Sequence, residues 1–128
     1  MKNQDLMELN ATFGKLTLPE MGMDDLYAVL TQKNNIDEES KRIEARMLKF
    51  QEDTKPASAG EYEVKLSEPE NREWWNKVLA MRSRLLQEES EIHVIACVPR
   101  ETFAQMARGL TMNEAALVMR YLVKKEGQ

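Results

Sequence analysis

The chain has 128 residues and a mass of 14.8 kDa, the size of one ordinary domain and too short for two full hydrophobic cores. Apolar residues make up 42% and charged residues 31%, which excludes a disordered chain but allows only a modest core. The net charge is −4, although residues 100–128 carry five basic and three acidic groups. Attraction of the whole molecule to nucleic acid or an anionic membrane is therefore not expected, and only the C-terminal end favours an anion.

Targeting signals and cysteine content indicate the compartment. Residues 1–5 lack the basic and apolar regions of a signal peptide, and no run of about 18 apolar residues occurs. Cys97 is the single cysteine and His93 the single histidine, too few for a disulfide or a structural zinc site. We expect a protein of the reducing cytoplasm, without cofactor, metal or membrane contact.

Residues 1–53 carry the pattern of a long N-terminal helical hairpin. A short amphipathic first helix is predicted by apolar residues at spacings of three and four: Leu6, Leu9, Phe13 and Leu16. Pro19 and Gly22 then predict a turn. A second helix is predicted from Met23 to about Asp53, although Asn34-Asn35 leaves a break within it open.

The predicted second helix carries a heptad-like stripe, which we call the seam. Its residues are Leu26, Val29, Ile36, Ile43, Met47 and Phe50. A continuous helix of this length spans on the order of 45 Å, more than the width of a small domain. Because the first helix is too short to cover it, the seam is interpreted as an oligomer contact, with an internal packing stripe as the alternative.

A linker and two strands are predicted next. Residues 54–60 are small and include Pro and Gly, which predicts an exposed linker between residues 1–53 and a small α+β unit of residues 61–128. Glu61–Leu66 alternates polar and apolar residues, whereas Ile92–Val98 is apolar and rich in β-branched residues. We expect these two segments to pair as strands.

Three further helices are predicted. Ser67 to Glu70 reads as a capping box before a helix, and Pro99 starts a short helix that Gly109 ends. Thr111 to Glu114 forms a second capping box before the last helix. The predicted fold class is therefore α+β and predominantly helical: one compact domain with a long N-terminal α-hairpin, a two-stranded β element and C-terminal helices.

Two adjacent tryptophans suggest an aromatic contact. Trp74 and Trp75 lie about 100° apart around a helix and cannot both face one core. Either one is a core residue beside a rim residue, or they anchor a partner protein, because tryptophan is enriched in binding hot spots.

A DNA-binding alternative comes from residues 100–125. This stretch reads as helix, turn and helix with basic Arg108, Arg120, Lys124 and Lys125. The start of its second helix is a poor set of donors for base edges, because Met112 to Ala115 includes one acidic and two apolar residues. A plain αα-hairpin is the competing interpretation, and nucleic acid is not the expected partner.

No catalytic arrangement stands out in the sequence. His93 and Cys97 would be about 13 Å apart on a strand, too far for a nucleophile and its base. The chain also lacks a Gly-rich phosphate loop and carboxylates in a metal-binding pattern. We expect no enzymatic activity and no small-molecule substrate.

The order of the predicted elements resembles a family of short proteins encoded by tailed bacteriophages and prophages. The matching pieces are Leu9 to Pro19, Ile36-Asp37-Glu38-Glu39 through Leu48, Glu91-Ile92-His93-Val94, and Leu110-Thr111 to Leu122. The chain departs from the pattern at Trp74-Trp75 and in the linker. The resemblance implies an accessory protein of particle assembly, or one that binds a phage or host protein.

These observations together predict a non-enzymatic protein that binds a partner or itself. The homo-oligomer would form through the seam and Trp74 or Trp75. Replacing Ile43 and Met47 with Glu would then break self-association and leave the helices intact.

Overall fold

The computed structural model describes residues 1–57 and 66–125. Within these ranges the chain forms five helices: α1 (Asn3–Phe13), α2 (Met23–Asp53), α3 (Pro69–Gln87), α4 (Arg100–Met106) and α5 (Met112–Tyr121). None of these helices is both long and apolar enough to span a membrane.

The predicted N-terminal helical hairpin is confirmed by α1 and α2. The turn between them contains Pro19, and α2 begins directly after Gly22. Asn10 Nδ2 donates to Asp37 Oδ1 at 3.4 Å, which joins the two antiparallel helices. Helix α2 continues through Asn34-Asn35 for 31 residues, roughly 46 Å at about 1.5 Å per residue.

Helix α3 returns along the C-terminal half of α2. Trp74 Nε1 donates to Thr54 Oγ1 at 3.1 Å near the start of α3. Near its end, Asn3 Nδ2 donates to the carbonyl of Leu85 at 2.8 Å, so α3 finishes beside the start of α1. The predicted Ser67 cap is wrong by one position, because Glu68 is the N-cap residue and Pro69 occupies the first turn.

The main core draws on all five helices. Its buried apolar residues are Leu6, Leu9, Phe13, Val29, Ile36, Ile43, Met47, Leu85, Cys97, Val98, Met106, Val118 and Leu122. A smaller cluster lies where the C-terminal end of α2 meets the N-terminal half of α3. There Trp74 and Val78 pack with half-buried Phe50 and Trp75. We call this second cluster the tip.

The predicted α+β class is wrong, because no strand forms among the described residues. In place of a strand, Ile92–Val98 is a non-helical segment whose Val98 makes one isolated parallel bridge to Val123. The predicted partner segment, except Leu66, lies outside the described residues. Leu66 precedes α3 at the tip, whereas the Ile95 N–H donates to Gln32 in the first half of α2. Leu66 and Ile95 belong to the two segments predicted to pair, and they therefore lie near different parts of the long helix α2.

Candidate functional site

Most of the seam is buried in the main core of the protein. Val29, Ile36, Ile43 and Met47 are each at most 3% exposed and belong to the main core, whereas Leu26 and Phe50 are half-buried. Helix α1 covers only part of this stripe, and α3 with the segment before α4 covers the rest. The premise of an uncovered seam is therefore wrong, because chain segments distant in sequence complete the cover.

A different face of α2 is exposed. Met23, Tyr27 and Leu30 are spaced by four and three residues and are 77%, 73% and 41% exposed. Their spacing was visible in the sequence, but it competes with the longer seam on the opposite face. Periodicity alone does not decide which of two apolar stripes the rest of the chain covers.

The two tryptophans occupy different environments at the tip. Trp74 is buried, whereas Trp75 is half-buried, and their rings are tilted by 59° at 5.8 Å between centroids. Of the two interpretations of the tryptophan pair, this arrangement corresponds to a core residue, Trp74, beside a rim residue, Trp75.

An open groove near the C-terminal end of α5 combines apolar and basic side chains, and we call it the C-terminal groove. Its volume is about 570 Å³. Its lining residues are His93, Val94, Ile95, Ala96, Arg120, Tyr121, Val123, Lys124 and Lys125. A neighbouring cavity of about 500 Å³ shares Val123, Lys124 and Lys125 with it.

The last turn of α5 forms one wall of the groove. Tyr121 Oη donates to Asp5 Oδ2 at 2.9 Å, which ties α5 to α1. Burial, followed by the hydrogen bond to Asp5, raises the pKa of Tyr121 above its ordinary value, so the hydroxyl stays protonated at neutral pH. The Arg120 guanidinium carbon lies 5.1 Å from the centre of the Tyr121 ring, a cation–π contact.

Backbone hydrogen bonds connect this wall to the segment before α4. The N–H groups of Cys97 and Val98 both donate to the carbonyl of Leu122 at 2.8 Å, and the Lys124 N–H donates to the carbonyl of Val98 at 2.9 Å. Lys124 Nζ lies 3.7 Å from Asp25 Oδ1, an ion pair to the start of α2. These contacts fix the position of Lys124 at the groove.

The opposite wall is formed by His93–Ala96. The Ile95 N–H donates to Gln32 Oε1 at 3.1 Å. Gln32 lies on the face of α2 that contacts this segment, and it is 6% exposed. A buried side-chain amide therefore supplies the acceptor that a neighbouring strand would supply in a sheet.

The groove brings together three of the four basic residues considered for nucleic-acid binding. Arg120, Lys124 and Lys125 line it, whereas Arg108 lies just after α4, at the other end of α5. Helix α5 has 10 residues, so its ends are roughly 15 Å apart at about 1.5 Å per residue. A single compact surface therefore does not contain all four.

The N-terminal turn of α5 is occupied by internal contacts. Thr111 Oγ1 accepts from the Glu114 N–H at 3.2 Å, Glu114 Oε1 accepts from the Thr111 N–H at 2.9 Å, and the predicted capping box is confirmed. Glu114 Oε2 also pairs with Lys15 Nζ at 2.7 Å. Because the Glu114 carboxylate lies in the first turn of α5, its negative charge opposes the close approach of a phosphate backbone to this end of the helix.

Cys97 and His93 occupy different environments near the groove. Cys97 is buried, and burial raises the pKa of its thiol to about 11, so the thiol is protonated at neutral pH. His93 is exposed on the groove wall. Among residues 1–57 and 66–125, no three His, Cys, Asp or Glu side chains are grouped to hold a metal ion. The groove offers cationic side chains, apolar side chains and backbone groups for noncovalent contact.

Comparisons with protein-family models, curated proteins and solved structures give no match for this chain.

Proposed function

We propose that the chain is a non-enzymatic protein-binding module whose binding site is the C-terminal groove. The observation that carries the proposal is the composition of the groove: an apolar wall around Val94 and Ile95 faces a cationic wall around Arg120 and Lys124. Apolar contact area with charged groups beside it is typical of protein recognition sites. Ile95 is 60% exposed, so this apolar wall is accessible from solvent.

Selection from a displayed random-peptide library tests this proposal. The wild-type chain should enrich a recurring peptide class, whereas the doubly substituted variant Arg120→Glu, Lys124→Glu should not. Arg108→Glu is the matched control, because it reverses an exposed cation outside the groove, and it should enrich the same class. No enrichment, or equal enrichment by the doubly substituted variant, would contradict the proposal.

The biological setting remains a second part of the proposal. The order of the helices resembles that of proteins of tailed phages and supports an accessory protein that binds a phage or host protein, whereas the strand of that pattern does not form among the described residues. Self-association also stays a proposal, but the buried seam cannot supply its contact in the folded monomer. The exposed residues Met23, Tyr27 and Leu30 are the apolar face of α2 available for it.

A nucleic-acid function is the competing proposal, and the cluster of Arg120, Lys124 and Lys125 favours it. Binding to a short DNA duplex should then weaken steeply with salt and disappear in the Arg120→Ala, Lys124→Ala variant. The net charge of −4 and the acidic start of α5 weigh against this function.

A further inference from the structure

We propose that the C-terminal groove binds an acidic, partly apolar peptide of a partner protein in an extended conformation, by adding it as a strand to Ile92–Ala96. This inference rests on the proposed protein-binding function and specifies the chemistry of the partner. It follows from the burial pattern of the segment, its backbone hydrogen bonds and the charge of the groove.

The burial of the segment is that of a strand. Glu91, His93 and Ile95 are exposed, whereas the residues between and after them, Ile92, Val94 and Ala96, are half-buried. Alternation with period two is the pattern of an extended chain with one face on a core. After a bend at Glu91 and Ile92, His93–Ala96 therefore has the burial pattern of a strand, although no sheet forms in the described residues.

The backbone of this segment is largely unpaired within the described residues. Ile95 donates its N–H to Gln32, and the carbonyl of Ile92 accepts from Ser90 Oγ at 3.3 Å. The N–H groups of His93, Val94 and Ala96 make no hydrogen bond in residues 1–57 and 66–125. Unpaired groups on a strand-like segment are a template for an added strand.

Strand geometry indicates which groups a peptide would use. Successive N–H groups of an extended chain point to opposite sides. Since the Ile95 N–H is directed at Gln32, the N–H groups of Val94 and Ala96 would lie on the other side of an extended segment. An added peptide would pair with these two residues and leave the contact to α2 intact.

The charge of the groove selects the peptide. Three cationic residues line it, Arg120, Lys124 and Lys125; none of its described lining residues is acidic, and Asp25, which pairs with Lys124, lies outside the lining. Aspartate and glutamate side chains of a peptide would form charge-assisted hydrogen bonds with these groups. The exposed Ile95 side chain adds apolar contact for the residues between the acids.

A second copy of the chain is a less suitable occupant. Symmetric pairing of Ile92–Ala96 with the same segment of another copy would place two sets of Arg120, Lys124 and Lys125 near each other. Like charges across an interface disfavour association. Duplex DNA satisfies the charge requirement but offers no backbone amides for strand pairing.

The test is fluorescence anisotropy of the full chain with a labelled peptide, Asp-Val-Glu-Val-Asp-Val-Glu. Three matched peptides accompany it: one with Lys at every acidic position, and two that are N-methylated at alternate residues in opposite phases. We expect the Lys peptide and one N-methylated phase to bind at least about tenfold more weakly, and the other phase to stay within about threefold. Strand pairing predicts this difference, because only alternate N–H groups of the peptide would face the segment.

Variants of the chain locate the site. Arg120→Glu should weaken the acidic peptide about tenfold, whereas Arg108→Glu should leave its affinity within about twofold. Circular dichroism checks that both variants fold. The phase comparison uses the wild-type chain, so it stays decisive even if Arg120→Glu unfolds.

Other outcomes would overturn the inference. Equal loss in both N-methylated phases would show recognition of charge without strand addition. Tighter binding of a short DNA duplex, sensitive to Arg120→Glu, would assign the groove to nucleic acid. If the acidic peptide fails while the library selection enriches another peptide class in the groove, this inference fails and the proposed function stands.

Discussion

Glu114 shows how much one side chain holds together. Its carboxylate pairs with Lys15 beyond the end of α1 and accepts the Thr111 N–H at the start of α5. These two contacts, the Lys15 hydrogen bond first, lower the pKa of Glu114 from 4.5 to about 2. The sequence revealed the capping box, but it did not reveal Lys15, which is distant along the chain.

The lowered pKa predicts an acid-sensitive contribution to stability. Between about pH 4.5 and 2 the unfolded chain binds a proton at Glu114 that the folded chain does not. The contribution is therefore complete above the unfolded pKa and is lost as the pH falls toward 2. In thermal melts, Glu114→Gln should be less stable than wild type at pH 7, and the difference should shrink toward zero near pH 2.

The control for this prediction is Glu20→Gln. Glu20 is exposed and makes no hydrogen bond or ion pair in the described residues. Its melting temperature should follow that of the wild-type chain at every pH. A gap for Glu114→Gln that does not change with pH would contradict the assigned role of the carboxylate.

At the scale of the element, α2 is a core helix over most of its length. Ile43 is 1% exposed, so Ile43→Ala should lower the free energy of unfolding by about 3 kcal/mol through lost contacts and a cavity. The exposed neighbour Glu44 is the control, and Glu44→Ala should change it by less than about 0.5 kcal/mol. Urea denaturation followed by circular dichroism measures both.

The buried position also changes the expected result of glutamate substitutions in the seam. Ile43→Glu and Met47→Glu would each place a carboxylate in the main core, and an unpaired buried charge strongly disfavours folding. Loss of the helical signal is therefore expected. A folded variant with an altered oligomeric state would instead support the predicted oligomer contact.

The tip is a second feature at this scale, and its two tryptophans should be distinguishable. In Trp75→Phe the remaining Trp74 is 4% exposed, so its emission should be blue-shifted and resistant to acrylamide. In Trp74→Phe the remaining Trp75 is half-buried and should be quenched more strongly. Equal quenching constants would show that the tip does not pack as described.

At the scale of the whole molecule, the two clusters differ in size. The main core contains thirteen buried residues from all five helices and their connections, whereas the tip contains two, Trp74 and Val78. Regions with few buried apolar contacts open locally at lower free energy. Native-state hydrogen exchange should therefore show less protection at Val78 than at Ile36. Equal protection at these two amides would mean that the described chain unfolds as one unit.

The sequence by itself determined the helices and several of their limits. Spacings of three and four residues marked α1 and α2, and Thr111 with Glu114 marked the start of α5. These features depend on contacts within a few residues, and local sequence contains that information.

Only the tertiary structure decided which surfaces are covered. Ile92–Val98 has the composition of a strand, but a strand requires a partner. Leu66, from the predicted partner segment, precedes α3 near the C-terminal end of α2, whereas Ile95 contacts the first half of α2. The seam has the spacing of an oligomer contact, but α1, α3 and the segment before α4 bury most of it. The C-terminal groove joins residues about 25 positions apart, and its proximity follows from the backbone bonds of Val98 and Lys124. Burial and pairing are properties of two surfaces together, and a linear pattern describes only one of them.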